Sequence, residues 1–269
     1  LYWAICLGRE EIEELARREE LKRKERKGTK RKSGSDLFQT LEEVFDNRTV
    51  MSLYQLINRG YIEGMRGVVK AGKESRIYWA KGTKGEDLAV KIYLTSSAEF
   101  RKSMLQYIHG DPRFKVGRDH RLMVYTWAQK EYKNLVEAAR AGVRVPKPIY
   151  VYENILIMEF IGEDGVPAPL LRDLPGGEVT ADLYREVAEE VDKLYRTAGL
   201  VHADLSEYNI MVPGPGSVTL IDFGQAVTKE HPMADDFLKR DVANVIRFFR
   251  RAGAEVPQEE SVIEWLKRE

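Results

Sequence analysis

His202-Ala203-Asp204-Leu205-Ser206-Glu207-Tyr208-Asn209, followed by Leu220-Ile221-Asp222-Phe223-Gly224, is the stretch that decides how this chain reads. Each acidic centre comes after a short apolar run, Leu200-Val201 before Asp204 and Leu220-Ile221 before Asp222, which can end a strand and present the carboxylate at its tip. Asp204 and Asn209 lie within one loop, and Asp222 follows on the next. One of these residues alone would carry no meaning. Two carboxylates and an amide oxygen in this order form a set of hard oxygen donors suited to a charged, phosphate-bearing ligand and its metal ion.

The spacing is that of a kinase catalytic loop and its metal-binding aspartate. Phosphoryl transfer passes through a transition state crowded with negative oxygens, so the protein supplies position and charge more than covalent chemistry. On this reading Asp204 is catalytic and faces the attacking hydroxyl. Asn209 and Asp222 face Mg²⁺, with Mn²⁺ as its substitute.

The chain has 269 residues, enough for two lobes with a proper core. Its 43 Lys and Arg match its 43 Asp and Glu, so bulk charge does not point to nucleic acid. Cys6 is the single cysteine, which excludes an internal disulfide and suits a reducing, cytoplasmic compartment. No apolar run approaches membrane-spanning length, so no membrane partner is expected. The apolar opening from Leu1 to Gly8 lacks a basic leader and is too short for a signal peptide. Residues 9–33 are almost all charged, with acids and bases at helical spacing around Ile12 and Leu15, then a nearly all-basic run over 22–32. That run suits either a solvated helix or a basic arm that meets RNA phosphates.

Hydrophobic spacing predicts a helix capped by Ser35 or Asp36, and a second from about Thr49 to Gly60. Strands are expected over 67–70, 76–80 and 88–93, with a hairpin turn at 82–87. The polar stretch from Thr95 to His120, broken at Gly110-Asp111-Pro112, is expected to be a mobile loop. A helix over about 123–141, strands near 149–152 and 155–160, and a long amphipathic helix over about 180–198 follow. Beyond the two loops, helices are expected near 234–251 and 259–267. The predicted fold is α+β and bilobal, like a protein kinase. An N-lobe antiparallel sheet with one helix precedes a mainly helical C-lobe without an activation segment, and a helical extension stands at the N-terminus. The expected boundaries are 1–48 for the extension, 49–160 for the N-lobe and 161–269 for the C-lobe.

A cleft between unlike lobes is where a nucleotide would bind. Lys91, on the third strand, can reach the α- and β-phosphates, steadied by Glu131 from the following helix. Gly72, Lys73 and Ser75 lie in the turn between the first two strands, where backbone N–H groups and a hydroxyl can bind phosphate oxygens. Met158 and Ile161 stand where an adenine plane is expected, and both would serve equally well as core residues.

Taken together these residues resemble the RIO family of atypical protein kinases. The matching stretches include Leu88-Ala89-Val90-Lys91-Ile92-Tyr93, Trp127-Ala128-Gln129-Lys130-Glu131, Met158-Glu159-Phe160-Ile161-Gly162, Leu200 to Asn209, and His231-Pro232. The resemblance runs from roughly residue 49 to 252 and looks most like the first RIO subgroup in an archaeal form, by Pro167-Ala168-Pro169-Leu170-Leu171 and the segment around Tyr107-Ile108-His109-Gly110. Gly72-Lys73-Glu74-Ser75 reads more like the other subgroup. The resemblance implies an ATP- and Mg²⁺-using serine kinase that can phosphorylate itself. It implies a part in maturation of the small ribosomal subunit, bound to the pre-small-subunit particle and its rRNA. It also implies that the carboxylate of Asp222 can accept phosphate in an ATPase cycle. Independently of the resemblance, Gly224 is followed almost at once by His231-Pro232 and the next helix, which leaves no platform for an extended peptide. Asp241 looks like the buried aspartate that holds the catalytic-loop backbone. Two other readings are compatible with the loop. One is a small-molecule kinase of the aminoglycoside or choline type, for which Asp235-Asp236 is the nearby acidic pair. The other is a scaffold that binds ATP without turning it over.

Overall fold

Three successive segments that alternate side chains between two apolar surroundings organise the first half of the chain. They are seen in a computed structural model that describes residues 8–10, 12–14, 16–17, 45–95, 104–114 and 119–268. Strands β1 (Gly64–Ala71), β2 (Ser75–Lys81) and β3 (Asp87–Tyr93) are joined by tight turns. They continue through β5 (Ile155–Glu159) to β4 (Pro148–Tyr152) in an antiparallel sheet of order β1-β2-β3-β5-β4. Successive strand residues face opposite sides. Leu88, Val90 and Ile92 of β3 therefore pack with Leu53, Leu56 and Ile57 of helix α1 (Asn47–Asn58), while Ala89 and Tyr93 join the main core on the other side. Both faces are covered, which is why β3 reads as an almost unbroken apolar run. The register sets Lys91 opposite Ile77 on β2 and Leu156 on β5, and Ala89 opposite Met158.

Helix α1 starts where Asp46 Oδ1 accepts the Thr49 N–H at 2.9 Å. Asp119 caps helix α2 (His120–Arg140) in the same way. Upstream, Ile12 and Ala16 are buried, and Ile12 belongs to the cluster under α1. The beginning of the charged stretch is thus a packed helical segment. The basic run 22–32 and the helix predicted from Ser35 lie outside the described residues.

After β5 the chain passes through a small hairpin, β6 (Gly162–Glu163) with β7 (Val166–Pro167), into a helical half. Helix α3 (Ala181–Asp192) is capped by Thr180 and ends in a π-helical turn over Lys193–Thr197. Helices α4 (Ala234–Arg251) and α5 (Glu259–Lys267) complete it. Between them, β8 (Leu200–Val201) pairs with β11 (Val227–Thr228), and β9 (Ile210–Gly214) with β10 (Ser217–Leu220). These short ladders hold the two loops that carry Asp204 and Asp222.

One expectation needs correction. The stretch from Thr95 to His120 is not a loose loop along its described part. Residues 104–108 are helical, and Met104, Tyr107 and Ile108 are buried in the main core, where Tyr107 packs against Trp127 and Phe237. Polar composition hid an i, i+3, i+4 apolar set that finds its partners only in the folded chain.

Candidate active site

Lys91 leaves β3 on the face opposite α1. Its Nζ donates to Glu131 Oε1 and Oε2 at 2.9 and 2.8 Å and to Asp222 Oδ1 at 2.9 Å. One ammonium thus joins the sheet, helix α2 and the loop after β10. Burial opposes the charge on Lys91, but Asp222 and Glu131 outweigh it and raise its pKa above the ordinary lysine value. Burial pushes the Glu131 carboxyl up to about 7 against the pull of Lys91. Burial would also raise Asp222, yet the Lys91 ammonium holds it below the usual carboxylate range. The Asp222 side chain is still 45% exposed to the cleft, so it offers oxygen to an incoming cation.

The loop that carries Asp204 is held from beneath. Asp241 accepts the Ala203 N–H at 2.7 Å and the Leu205 N–H at 2.9 Å, and Asn244 Nδ2 donates to the Leu205 carbonyl at 3.2 Å. Arg240 donates to the Ala203 carbonyl. This satisfies a backbone that needs support, because Ala203 (φ 64°) and Asp222 (φ 67°) both sit in the left-handed region. Such a conformation costs roughly 1–3 kcal/mol for a residue with a side chain, and it turns each carboxylate loop sharply. Burial drives the Asp241 carboxyl up to about 7 despite its two backbone donors. Beside Asp222, His202 Nε2 lies 3.0 Å from the Ile221 carbonyl. Burial lowers the His202 pKa to about 4, so the ring is neutral and Nε2–H donates.

Asn209 Nδ2 donates to the Asp204 carbonyl at 2.8 Å and to Asp204 Oδ2 at 3.2 Å. That fixes the amide so that its oxygen is the free end. Burial, then the charge of Asp222, raises the Asp204 pKa, while Arg240 and Asn209 pull it down. A carboxylate raised in this way is a better proton acceptor for a hydroxyl.

A concavity of about 330 Å³ opens between the halves, with Lys91, Glu131 and Asp222 at one end and Ala89, Met158 and Ile221 among its apolar walls. Ile161 lines it too, and its carbonyl accepts the Ala168 N–H at 2.9 Å. Gly72, Lys73 and Ser75 do not line the cleft. They form the tip of the β1–β2 hairpin, where the Gly72 N–H donates to the Ser75 carbonyl at 2.9 Å. Val69 and Lys70 of β1 line the cleft instead, with Met211 from β9. Within that tip the Glu74 carboxyl is raised by burial and then by the charge of Asp222, with Lys91 opposing. The acidic pair Asp235-Asp236 lies on α4, where Asp235 is bound to Lys267 of α5 at 2.7 Å.

Three polar residues that support the site, Lys130, Asn134 and Arg113, have no role assigned from the sequence. Lys130 is fully buried and donates to the carbonyls of Gly224, at 3.2 Å, and Ala226. Asn134 Nδ2 donates to the Phe223 and Ala226 carbonyls at 2.9 and 2.8 Å. Arg113 donates to Asn134 Oδ1 and to Asp111 Oδ2, both at 2.8 Å. The turn after Asp222 is therefore tied to the same helix that supplies Glu131. Trp127 presses on it so closely that a Cβ at Gly224 would come 3.0 Å from its indole nitrogen. The available signal was polar residues at helical spacing on the buried stripe, Lys130, Glu131 and Asn134 beside Trp127.

Asp222 and Asn209 fit a hard cation. Among the described residues no group of three or more His, Cys, Asp or Glu side chains converges. One carboxylate and one amide suit Mg²⁺, which takes the rest of its shell from water and substrate phosphates.

The bilobal fold and this cleft define a protein of the protein-kinase-like class. Residues 76–262 match the model of the RIO domain. The chain belongs to the RIO family of atypical serine/threonine protein kinases. It is 44% identical over 222 residues to the RIO-type serine/threonine-protein kinase Rio1 of Haloferax volcanii, covering 82% of this chain and 75% of that one. Against the corresponding Rio1 of Methanocaldococcus jannaschii it is 40% identical, covering 79% of this chain and 72% of that one. Against the human serine/threonine-protein kinase RIO1 it is 41% identical over 84% of its length, but it spans only 40% of the human chain. Among solved structures, the Rio2 kinase–ADP/Mg²⁺–phosphoaspartate complex from Chaetomium thermophilum superposes with a TM-score of 0.60 at 23% identity, covering 80% of this chain and 65% of that one.

Proposed function

We propose that this protein binds ATP with Mg²⁺ in the cleft, transfers the γ-phosphoryl group to serine hydroxyls including its own, and acts in maturation of the small ribosomal subunit. The observation that carries the nucleotide reading is the bridge from Lys91 to both Glu131 and Asp222 at the polar end of an apolar cleft. Lys91 is a fixed cation for phosphate oxygens. Met158 and Ile161 offer walls for the adenine, and from the rim Lys73 and the Ser75 hydroxyl of the hairpin tip would reach toward the phosphates. Bound Mg²⁺ would neutralise phosphate charge, held by Asp222 and Asn209. Asp204 orients the attacking hydroxyl and takes its proton, which its raised pKa favours. Asp222 is also the carboxylate on which a covalent phosphate would form in an ATPase cycle.

For a role on the nascent small subunit, the support is the family together with the basic run 22–32. The test is sedimentation from cell lysate. The protein should travel with small-subunit particles in a manner that depends on ATP, and deletion of 22–32 should weaken binding to rRNA with a shallower salt dependence. Each lost phosphate contact should lower the log–log salt slope by about 0.7–0.9. Sedimentation free of the particles under every nucleotide condition would sink the ribosomal reading and leave the enzymatic one standing.

A further inference from the structure

Beside the catalytic loop, and separate from the nucleotide cleft, a second pocket of about 260 Å³ is lined by residues 206–208 of that loop and by Asn244, Arg247, Phe248 and Arg251. One wall is the catalytic loop itself, between Asp204 and Asn209. The other is the last two turns of α4, where Asn244, Arg247 and Arg251 recur at i, i+3 and i+7 and share a face. Arg247 and Arg251 are both exposed, and among the described residues neither has a carboxylate partner. Other arginines of this half are engaged, Arg196 with Asp192, Arg172 with Asp173, Arg240 with the Ala203 carbonyl and Arg250 with the Pro257 carbonyl, while Arg144 reaches from the other half to Glu186 and Glu190. Glu207 is the one carboxylate of the lining, so the pocket carries a net positive charge.

We propose that this pocket docks an acidic group of the acceptor protein, an Asp, Glu or phosphoserine side chain flanking the serine presented to Asp204. The inference rests on the kinase reading above. Ser206 stands two residues from Asp204, and Asn244 bonds the carbonyl of Leu205 between them, so whatever fills the pocket is held a short peptide's reach from the reacting hydroxyl. Two guanidinium groups with a serine hydroxyl and an amide suit carboxylate or phosphate oxygens, which they can bind bidentately. RNA fits less well. Of its two aromatic rings, Tyr208 already carries the Arg172 guanidinium over it at 4.5 Å, occupying a face on which a base would stack, and Phe248 is half-buried edge-on against Phe249. With no activation segment after Gly224, an acceptor has few other contacts available, and these arginines supply one from α4.

The experiment uses the full chain and four serine peptides that differ only in their flanks: Asp/Glu, phosphoserine, Gln and Lys. The wild-type protein should phosphorylate both acidic peptides with a KM at least about tenfold below that of the Gln peptide, the scale of one good charge-assisted pair. Arg247→Gln/Arg251→Gln should erase that difference, leaving kcat and ATP affinity unchanged, because both residues lie outside the nucleotide cleft. Arg247→Glu/Arg251→Glu should reverse the preference toward a Lys-flanked peptide. A preference for only one of the two acidic peptides still supports the site and identifies the source of the anion. Equal KM values in the wild type, or an acidic preference that survives both variants, overturn the proposal. Loss of affinity for a mixed-sequence single-stranded RNA in the variants, with peptide KM values unmoved, makes the pocket an RNA contact and also overturns it. ATP hydrolysis without transfer to any peptide overturns it and leaves nucleotide chemistry intact, whereas failure to bind ATP removes the functional reading itself.

Discussion

Lys91 Nζ lies 2.9 Å from Asp222 Oδ1, so a strand of the sheet and a loop of the helical half are joined by a single ion pair across the cleft. The same ammonium is bound to Glu131, which is buried to the point of having no access to water. Removing Lys91 therefore strands one carboxylate in the interior as well as opening the bridge. Lys91→Met should destabilise the protein by about 3–5 kcal/mol, the scale for breaking a buried pair, and Lys91→Met/Glu131→Gln should recover much of that loss without restoring nucleotide binding. Denaturant unfolding and ATP titration of both variants check this. A single variant as stable as the wild type would show that Glu131 finds another partner.

Asp204→Asn preserves shape and removes the proton acceptor. Phosphoryl transfer should fall at least about a hundredfold while ATP affinity stays near its wild-type value. Asn209 still has the Asp204 carbonyl to bond, so the loop should keep its form. Near-normal turnover would take Asp204 out of the chemistry.

Asp222→Asn replaces a charged oxygen ligand by a neutral amide and removes the partner of Lys91. Mg²⁺-dependent ATP binding should weaken and turnover should stop. Any hydroxylamine-sensitive phosphate on the enzyme should disappear as well. Persistence of that label would move the acyl phosphate to another carboxylate, with Asp204 the first to test.

Asp241 holds two backbone N–H groups with two carboxylate oxygens, and an amide has only one acceptor. Asp241→Asn turns an N–H₂ toward one donor and leaves it unsatisfied, which should cost about 1–3 kcal/mol. Because the left-handed turn at Ala203 depends on these bonds, transfer should fall more than ATP affinity does. Thermal unfolding and a comparison of kcat with nucleotide Kd separate the two effects, and an unchanged kcat would reduce Asp241 to a folding residue.

Lys130 gives a pH signature. Burial lowers its pKa from 10.5 to about 7 in the folded protein. Between those values the unfolded chain binds the proton that the folded protein has released, so this residue's contribution to stability grows as pH rises from about 7 toward 10.5. Below about 7 both states carry the proton and the contribution is flat at its least favourable level. Subtracting the unfolding free energy of Lys130→Met from that of the wild type should leave a difference that increases over this window. Two parallel stability curves would mean that Lys130 keeps its charge inside the fold.

The chain order of strands and helices, the hairpin at 82–87, the helix containing Glu131 and the two acidic loops were all readable in the linear sequence, because each depends on neighbours a few residues apart. The spacing of Asp204, Asn209 and Asp222 is covalent, and it survives any detail of packing. Even the pairing of Lys91 with Glu131 and the supporting role of Asp241 could be expected once the loops were recognised. Other features depend on elements far apart in the chain, and only the tertiary structure decided them. A lysine is ordinarily a surface residue, so nothing local marks Lys130 as the buried donor to Gly224 and Ala226. Polar composition made 104–114 look loose, yet Tyr107 meets Phe237, His109 meets His231, and Arg113 meets Asn134. The turn at Gly72, Lys73 and Ser75 had the right residues for a phosphate loop, but hairpin geometry set it at the rim and gave the wall to Val69 and Lys70. The composition of the chain is electrically balanced, and only folding, by engaging other arginines of the helical half, left Arg247 and Arg251 without a carboxylate partner among the described residues beside the catalytic loop.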